Sequence, residues 1–207
     1  VFDVGANCGQ FLNLAVERLG NRIQKLHSFE PAAATFAALQ QAQPRHPGVV
    51  LNQLALGAEI GKAELYYDTE KSGLASLTKR DLAFRQIEFE RHETITITTL
   101  DAYCADKGIN RIDWLKLDVE GHELDVLRGG STMFAKRAVD LVTFEFGGCN
   151  IDTRTFLRDF FQFFSTQGMG LYRITPGGHF GRVRRYRETE EQFATANFVA
   201  MRSSTSQ

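Results

Sequence analysis

The sequence predicts an α/β protein built on an open, largely parallel sheet covered by helices. Three observations carry that expectation. Strand-like runs rich in β-branched and aromatic residues alternate with helically spaced apolar residues over residues 1–56, the same alternation returns over 112–146, and glycine or proline marks most of the switches. Residues 1–4 read as the first strand. The turn Gly5-Ala6-Asn7-Cys8-Gly9 follows, then Phe11, Leu12, Ala15 and Leu19 at helical spacing, with Gly20 closing the helix. Residues 25–30 form a second strand. Pro31 suits a first helical turn, the alanine-rich stretch 32–41 is a helix by propensity, and 49–56 is a third strand ended by Gly57.

The middle of the chain breaks this rhythm. Residues 63–67 and 94–98, the latter with alternating Ile95 and Ile97, look like strands of an insertion over about 58–98, as a hairpin or as edge strands. The alternation then resumes with strand Ile112–Leu117, a polar turn at 118–121, a helix over 123–127 stopped by Gly129 and Gly130, and strand Val139–Phe146. Phe156, Leu157, Phe160, Phe161 and Phe164 form a wide apolar helical stripe, read as core. Strands at 171–175 and 197–201 flank a Pro176-Gly177-Gly178 turn and an arginine-rich stretch. One domain is expected over residues 1–202, with a disordered tail at 203–207.

With 207 residues, 43% apolar and 24% charged, the chain has the makeup of a soluble globular protein large enough to bury a core without staples. Cys8, Cys104 and Cys149, odd in number and far apart, argue against a disulfide framework and for reducing, cytoplasmic surroundings. A net charge of −1 supplies no field toward nucleic acid or an anionic membrane. No apolar run approaches the roughly 20 residues of a membrane-spanning helix. Because Val1 opens the chain inside a strand, an upstream segment is expected before it.

Ligands of an open parallel sheet bind beyond the carboxyl ends of its strands, near the point where strand order reverses. At the first such end, Asp3-Val4-Gly5-Ala6-Asn7-Cys8-Gly9 offers glycines that admit a ligand to the backbone and a helix N-terminus with free N–H groups. At the second, Glu30 stands 30 − 9 = 21 residues past Gly9. That offset places an acid to accept hydrogen bonds from both hydroxyls of a ribose, the alternative being a plain solvated residue before Pro31. A G-x-G-x-x-G fingerprint started at Gly5 would want glycine where Asn7 and Gln10 stand, and no Gly-Lys-Ser/Thr phosphate loop is present. A nucleoside cofactor with a cationic or zwitterionic tail and no phosphate fits better. S-adenosylmethionine is such a molecule.

Beyond the fourth strand, Asp118, Glu120, His122 and Glu123 crowd four titratable groups into six positions. Such groups take protons, bind metals or grip hydroxyls, yet Asp118, Glu120 and Glu123 are also the charges a helix dipole favours in its first turn. Glu145, between Phe144 and Phe146, repeats the device at the fifth strand end, with a structural lysine pair as the alternative. Arg182, Arg184, Arg185 and Arg187 around Tyr186 read as a solvated basic edge rather than a grip on an anionic substrate.

In series, Val1-Phe2-Asp3-Val4-Gly5-Ala6-Asn7-Cys8-Gly9, Ser28-Phe29-Glu30-Pro31, Leu51-Asn52-Gln53-Leu54-Ala55-Leu56-Gly57 and Leu115-Lys116-Leu117-Asp118-Val119-Glu120-Gly121-His122-Glu123, with Val126-Leu127-Arg128-Gly129, resemble the FkbM family of S-adenosylmethionine-dependent O-methyltransferases. The similarity covers about residues 1–147. It implies a class I methyltransferase (Rossmann-like) sheet of about seven strands, order 3-2-1-4-5-7-6, with helices on both faces and the last strand antiparallel. It implies that Gly5, Ala6, Asn7 and Gly9 line the methionine end of the cofactor, with Asp3 also among the cofactor-binding residues. Glu30, beside Pro31, would hold the ribose, and Gln53, Ala55 and Leu56 would lie against the adenine. Asp118 and Glu120 would stand at the methyl-transfer site, Asp118 also reaching the cofactor, with His122 and Glu145 as further candidates for the base. The implied acceptor is a hydroxyl of a sugar, glycan or secondary-metabolite small molecule. Nucleic acid and membrane are not expected as partners, a homodimer is allowed, and no metal ligands are assigned, a divalent cation being allowed rather than predicted.

Two rivals share the sheet. A NAD-dependent oxidoreductase is disfavoured by the missing glycines, and a non-catalytic nucleoside-binding module would have little reason to keep both Asp118 and Glu120. A nucleic-acid methyltransferase would show a basic face and a motif such as N-P-P-Y, and the sequence has neither.

Overall fold

The computed structural model describes residues 1–202, so the tail 203–207 lies outside the described residues. Strand β1 (Phe2–Val4) turns through residues 5–9 into α1 (Gln10–Leu19), followed by β2 (Leu26–Phe29), α2 (Ala33–Ala42) and β3 (Val49–Asn52). The chain then builds a separate small sheet from β4 (Ala55–Leu56), β5 (Gly61–Tyr67) and β6 (Arg91–Thr98). It returns through α3 (Leu100–Lys107), β7 (Ile112–Leu117), α4 (Glu123–Arg128), α5 (Ser131–Ala135) and β8 (Val139–Phe146). Helices α6 (Cys149–Thr153) and α7 (Leu157–Thr166) and strands β9 (Met169–Ile174), β10 (Phe180–Arg182) and β11 (Ala196–Arg202) complete it.

The main sheet has eight strands in the order β10-β9-β11-β8-β7-β1-β2-β3. From β3 to β8 the pairs are parallel, and β11 runs antiparallel to both β8 and β9. Apart from β10 this is the implied order. The eighth strand is an addition: past Gly178, at φ +77°, residues 180–182 fold back on Tyr172, Arg173 and Ile174 as an exposed hairpin arm. Three exposed residues show no alternation, which is why the sequence gives no sign of them.

Burial alternates along β7. Leu115 and Leu117 join the larger core with Phe2, Phe29 and Phe144 and with the apolar sides of α3, α4, α5 and α7, while Lys116 points to the other face, its ammonium 5.5 Å from the ring centre of Phe11 on α1. On that face Leu12 and Ala15 of α1 and Leu39 of α2 pack with Leu26 in a second cluster. Helices therefore cover both faces.

Two local expectations need correction, one open alternative is decided and one helix is new. The third strand does not run to 56: it leaves the main sheet at Asn52, and Ala55 and Leu56 pair instead with Ile97 and Thr98 of the insertion. Of the two forms expected for the insertion, the hairpin is the one found: β5 and β6 pair antiparallel in a sheet of their own. Helix α3 was not anticipated, although Thr99 caps it by accepting a hydrogen bond from the Ala102 N–H (3.1 Å) and Gly108 ends it at φ +64°. In α7 the stripe buries Leu157, Phe160 and Phe164, but Phe156 lies just outside the helix and is 41% exposed.

Candidate active site

The ends of β1, β2 and β7 open into one cleft. It spans about 720 Å³ of non-atom space, open solvent included, and Val4, Phe29 and Asp118 at the three strand ends line it. The insertion forms its outer wall: Leu65 of β5, Ile95 of β6 and Ala75 and Leu77 between them face the cleft, and they pack with Ala32 and Ala55 in one apolar cluster.

The turn after β1 is tight because its neighbours leave no room. Gly5 has φ +79°, its N–H and that of Ala6 both donate to the Phe29 carbonyl (3.1 and 2.9 Å), and a Cβ at Gly5 would lie 1.8 Å from the Asp118 carbonyl oxygen. Glu30 sits at the end of β2, 7% exposed. Its Oε1 accepts from the Ala32 N–H (2.9 Å) and its Oε2 from the Asn7 N–H (3.0 Å), which leaves each oxygen a lone pair for a ligand hydroxyl. Burial pushes its pKa up to about 7 against the help of those two N–H groups.

Of the residues expected around a cofactor, Gly5, Asn7, Glu30, Pro31, Ala55, Leu56 and Asp118 line the cleft. Ala6 and Gly9 do not: Ala6 is packed in the cluster with Leu12 and Leu39, and Gly9 precedes the first turn of α1. Gln53 is turned to solvent because the chain swings from one sheet to the other there, and Leu54 lines the cleft in its place. Asp3 lies beneath the cleft, fully buried. Lys116 Nζ pairs with its Oδ1 at 3.0 Å, and burial raises the Asp3 pKa against the pull of that ammonium.

At the end of β7 the acids take different environments. Asp118 keeps 45% of its side chain exposed, with Lys116 Nζ 3.4 Å from Oδ2. Glu120 adopts φ +50° and is gripped by Arg80 of the insertion, Nη1 to Oε2 at 2.8 Å, while Arg80 Nε holds Asp152 of α6 at 3.0 Å. Burial pushes Glu120 up to about 7 although Arg80 pulls the other way. His122 lines the cleft with Nδ1 2.9 Å from Asp125 Oδ2 and Nε2 3.0 Å from the Thr78 hydroxyl. Glu123 is structural: buried, it accepts from the N–H groups of Val119 (3.0 Å) and Gly121 (3.3 Å) and so holds the turn, with burial pushing it up to about 7. Glu145 does not line the cleft; burial first, and the charge of Asp118 second, raise its pKa.

Sequence reasoning missed Lys116, Arg80, Ser76 and Thr78. Lys116 had a signal, since strand alternation sets it on the face of Asp118. Arg80 and Thr78 had none, because their partners lie 40 and 44 residues away. The arginines at 182, 184, 185 and 187 are exposed and do not line the cleft, as a solvated edge would be. Burial pushes the Cys104 and Cys149 thiols up to about 12, which removes them as nucleophiles. Among the described residues no three of His, Cys, Asp and Glu form a metal-binding group, and no helix is long and apolar enough to cross a membrane.

Comparison with known proteins is consistent with this geometry. A family model described as the methyltransferase FkbM domain matches residues 3–170. "Methyltransferase 1" of Beauveria bassiana is 31% identical over 144 residues, 62% of this chain and 57% of that protein. The "31-O-demethyl-FK506 methyltransferase FkbM" of Streptomyces tacrolimicus is 32% identical over 155 residues, 62% of this chain and 58% of that one. The "2-O-methyltransferase NoeI" of Sinorhizobium fredii is 24% identical, over 66% of this chain and 59% of its own. The chain thus spans somewhat more than half the length of these relatives. The crystal structure of a methyltransferase FkbM from Methylobacillus flagellatus superposes with a TM-score of 0.55 at 14% identity, over 96% of this chain and 42% of that one.

Proposed function

The chain belongs to the FkbM methyltransferase family, and on that footing we propose that it moves a methyl group from S-adenosylmethionine to a hydroxyl of a small, sugar-like acceptor. The order of groups along the cleft carries this reading. Along the cleft stand the apolar Leu54 with Ala55 and Leu56 of β4, then beyond β2 the Glu30 carboxylate with its spare lone pairs, then the tight glycine turn after β1, then Asp118 after β7. Adenine, ribose and a cationic amino-acid tail need those surfaces in that sequence. Asn7 and Gln10, where a pyrophosphate-binding turn has glycines, disfavour a nicotinamide. Oxygen as the acceptor atom is supported by one relative named a 2-O-methyltransferase and by another named for a 31-O-demethyl compound.

When bound, the cofactor supplies a methyl already activated on its sulfonium. The protein's own residues have three tasks: exclude water, align the hydroxyl and receive its proton. The apolar wall of Leu65, Leu77 and Ile95 serves the first. Asp118 is the cleft carboxylate open to an acceptor, whereas Glu120 is committed to Arg80; His122, oriented by Asp125, is a second group able to take a proton.

Calorimetric titration with S-adenosylhomocysteine tests the reading. The protein is expected to bind it and Glu30→Ala to weaken binding by about 1–3 kcal/mol, with no heat from a nicotinamide dinucleotide. Absence of binding by the folded protein would sink it. A pH series adds a second expected result. With Glu30 near 7, the ionised acceptor of ribose hydroxyls is present above that pH and must shed a proton below it, so affinity should be flat above pH 7 and fall by up to about tenfold per unit below. Glu30→Gln should bind weakly with no slope; a slope that persists there assigns the titration to another group.

A further inference from the structure

We propose that Lys116 is a positioning residue that sets the charge at the methyl-donor end of the cleft: it holds Asp118 and the Gly5 carbonyl toward the cofactor's cationic tail and tempers the preference for a charged sulfonium over a neutral thioether. The inference rests on the methyltransferase reading above. Its ground is the set of groups gathered on one ammonium. Lys116 Nζ donates to the Gly5 carbonyl at 3.1 Å, lies 3.0 Å from Asp3 Oδ1 and 3.4 Å from Asp118 Oδ2, and sits 5.5 Å from the centre of the Phe11 ring. Its side chain is 16% exposed.

Two of these partners, Gly5 and Asp118, line the cleft on the β7 side, opposite the Glu30 side. Without Lys116, a carbonyl oxygen and two carboxylates would face one another across the β1–β7 junction. Burial alone would lower the lysine's pKa, but Asp3 and Asp118 overcome it and raise the value, so the ammonium stays charged at neutral pH and is no candidate for the base. Asp3 and Asp118 stand against the single ammonium of Lys116 at this end of the cleft, burial raising the Asp3 pKa and Lys116 opposing it, with Glu145 close enough to feel both Asp118 and Lys116. Removing Lys116 makes the site more negative and removing Asp118 makes it less so. A charged ligand reports that difference, and a neutral ligand of the same shape does not.

S-adenosylmethionine and S-adenosylhomocysteine differ by one methyl and one positive charge, which makes their affinity ratio the probe. Titrated calorimetrically at pH 8, Lys116→Met is expected to raise the ratio in favour of S-adenosylmethionine about fivefold, even as both ligands loosen, and Asp118→Asn to lower it about fivefold. Lys116→Arg should keep the wild-type ratio. A merely structural lysine would weaken both ligands equally, so a ratio within about twofold of wild type in either folded variant overturns the inference. Should Lys116→Met fail to fold, Asp118→Asn, at a half-exposed side chain, still decides. Wild-type protein that binds neither ligand is a different result and counts against the methyltransferase reading itself.

Discussion

Gly5→Ala is expected to destabilise the protein by about 3 kcal/mol or more and to abolish binding of S-adenosylhomocysteine. Two costs add. A side chain at φ +79° costs about 1–2 kcal/mol, and the new Cβ would overlap the Asp118 carbonyl at 1.8 Å, a backbone atom rather than a yielding side-chain end. Neither strand can retreat. The Gly5 N–H is tied to the Phe29 carbonyl on one side, its carbonyl to Lys116 on the other, and the Asp118 N–H to the Val4 carbonyl at 3.0 Å. The loop must therefore deform where it lines the cleft, which takes the site along with the stability. Thermal unfolding should show a fall of about 6–12 °C for a domain of this size. Gly178→Ala is the control: at φ +77° with nothing within 4 Å of its Cβ, it should lose only the conformational cost and leave ligand binding unchanged. Equal losses in the two variants would show that the approach of the β1 turn to Asp118 is not what requires glycine.

The difference between those glycines marks what sequence can and cannot reveal here. Gly5 was legible because a glycine after a first strand in a β/α repeat has positional meaning, and Glu30 because its offset from the turn is set by one helix and one strand. Both follow from local order in the chain. The two β/α runs made a parallel, helix-covered sheet legible in the same way, whereas the seven-strand order came from the resemblance to a known family. The wall of the cleft was not. Residues 68–90 carry neither period, and their place is set by contacts far along the chain: Ser76 to the Glu120 carbonyl, Thr78 to His122 and Arg80 to Glu120 and Asp152. Gln53 illustrates the same limit on a smaller scale. An unbroken strand to residue 56 would have set it beside Ala55 along the cleft, but the transfer of Ala55 and Leu56 to the second sheet turns Gln53 outward. The resemblance sets Glu120 at the methyl-transfer site, and nothing near it in sequence announces an arginine 40 residues upstream.

Arg80 is accordingly the residue whose loss should surprise a reader of the sequence most. Arg80→Ala is expected to destabilise the protein by about 3 kcal/mol, the low end of the range for breaking a buried ion pair, because Arg80 is 6% exposed while Glu120 and Asp152 keep 18% and 19%. The loss should depend on pH in a definite direction. Burial already holds Glu120 at about 7, above its usual value, so the folded state binds its proton more tightly than the unfolded state and ionisation on raising the pH weakens folding. Removing Arg80 takes away the one influence that lowers that pKa, so the window extends upward and the variant's deficit relative to wild type grows between pH 6 and 8.5. Denaturant unfolding of both proteins across that range measures it. Combining Arg80→Ala with Glu120→Gln and Asp152→Asn removes the stranded charges and should recover most of the deficit and flatten its pH dependence. A deficit that is independent of pH and survives in the triple variant would mean that Arg80 acts through the packing of its stem rather than through its charge, and the insertion would then be held to the cleft by Leu65, Ile95 and their apolar neighbours together with the hydrogen bonds of Ser76 and Thr78.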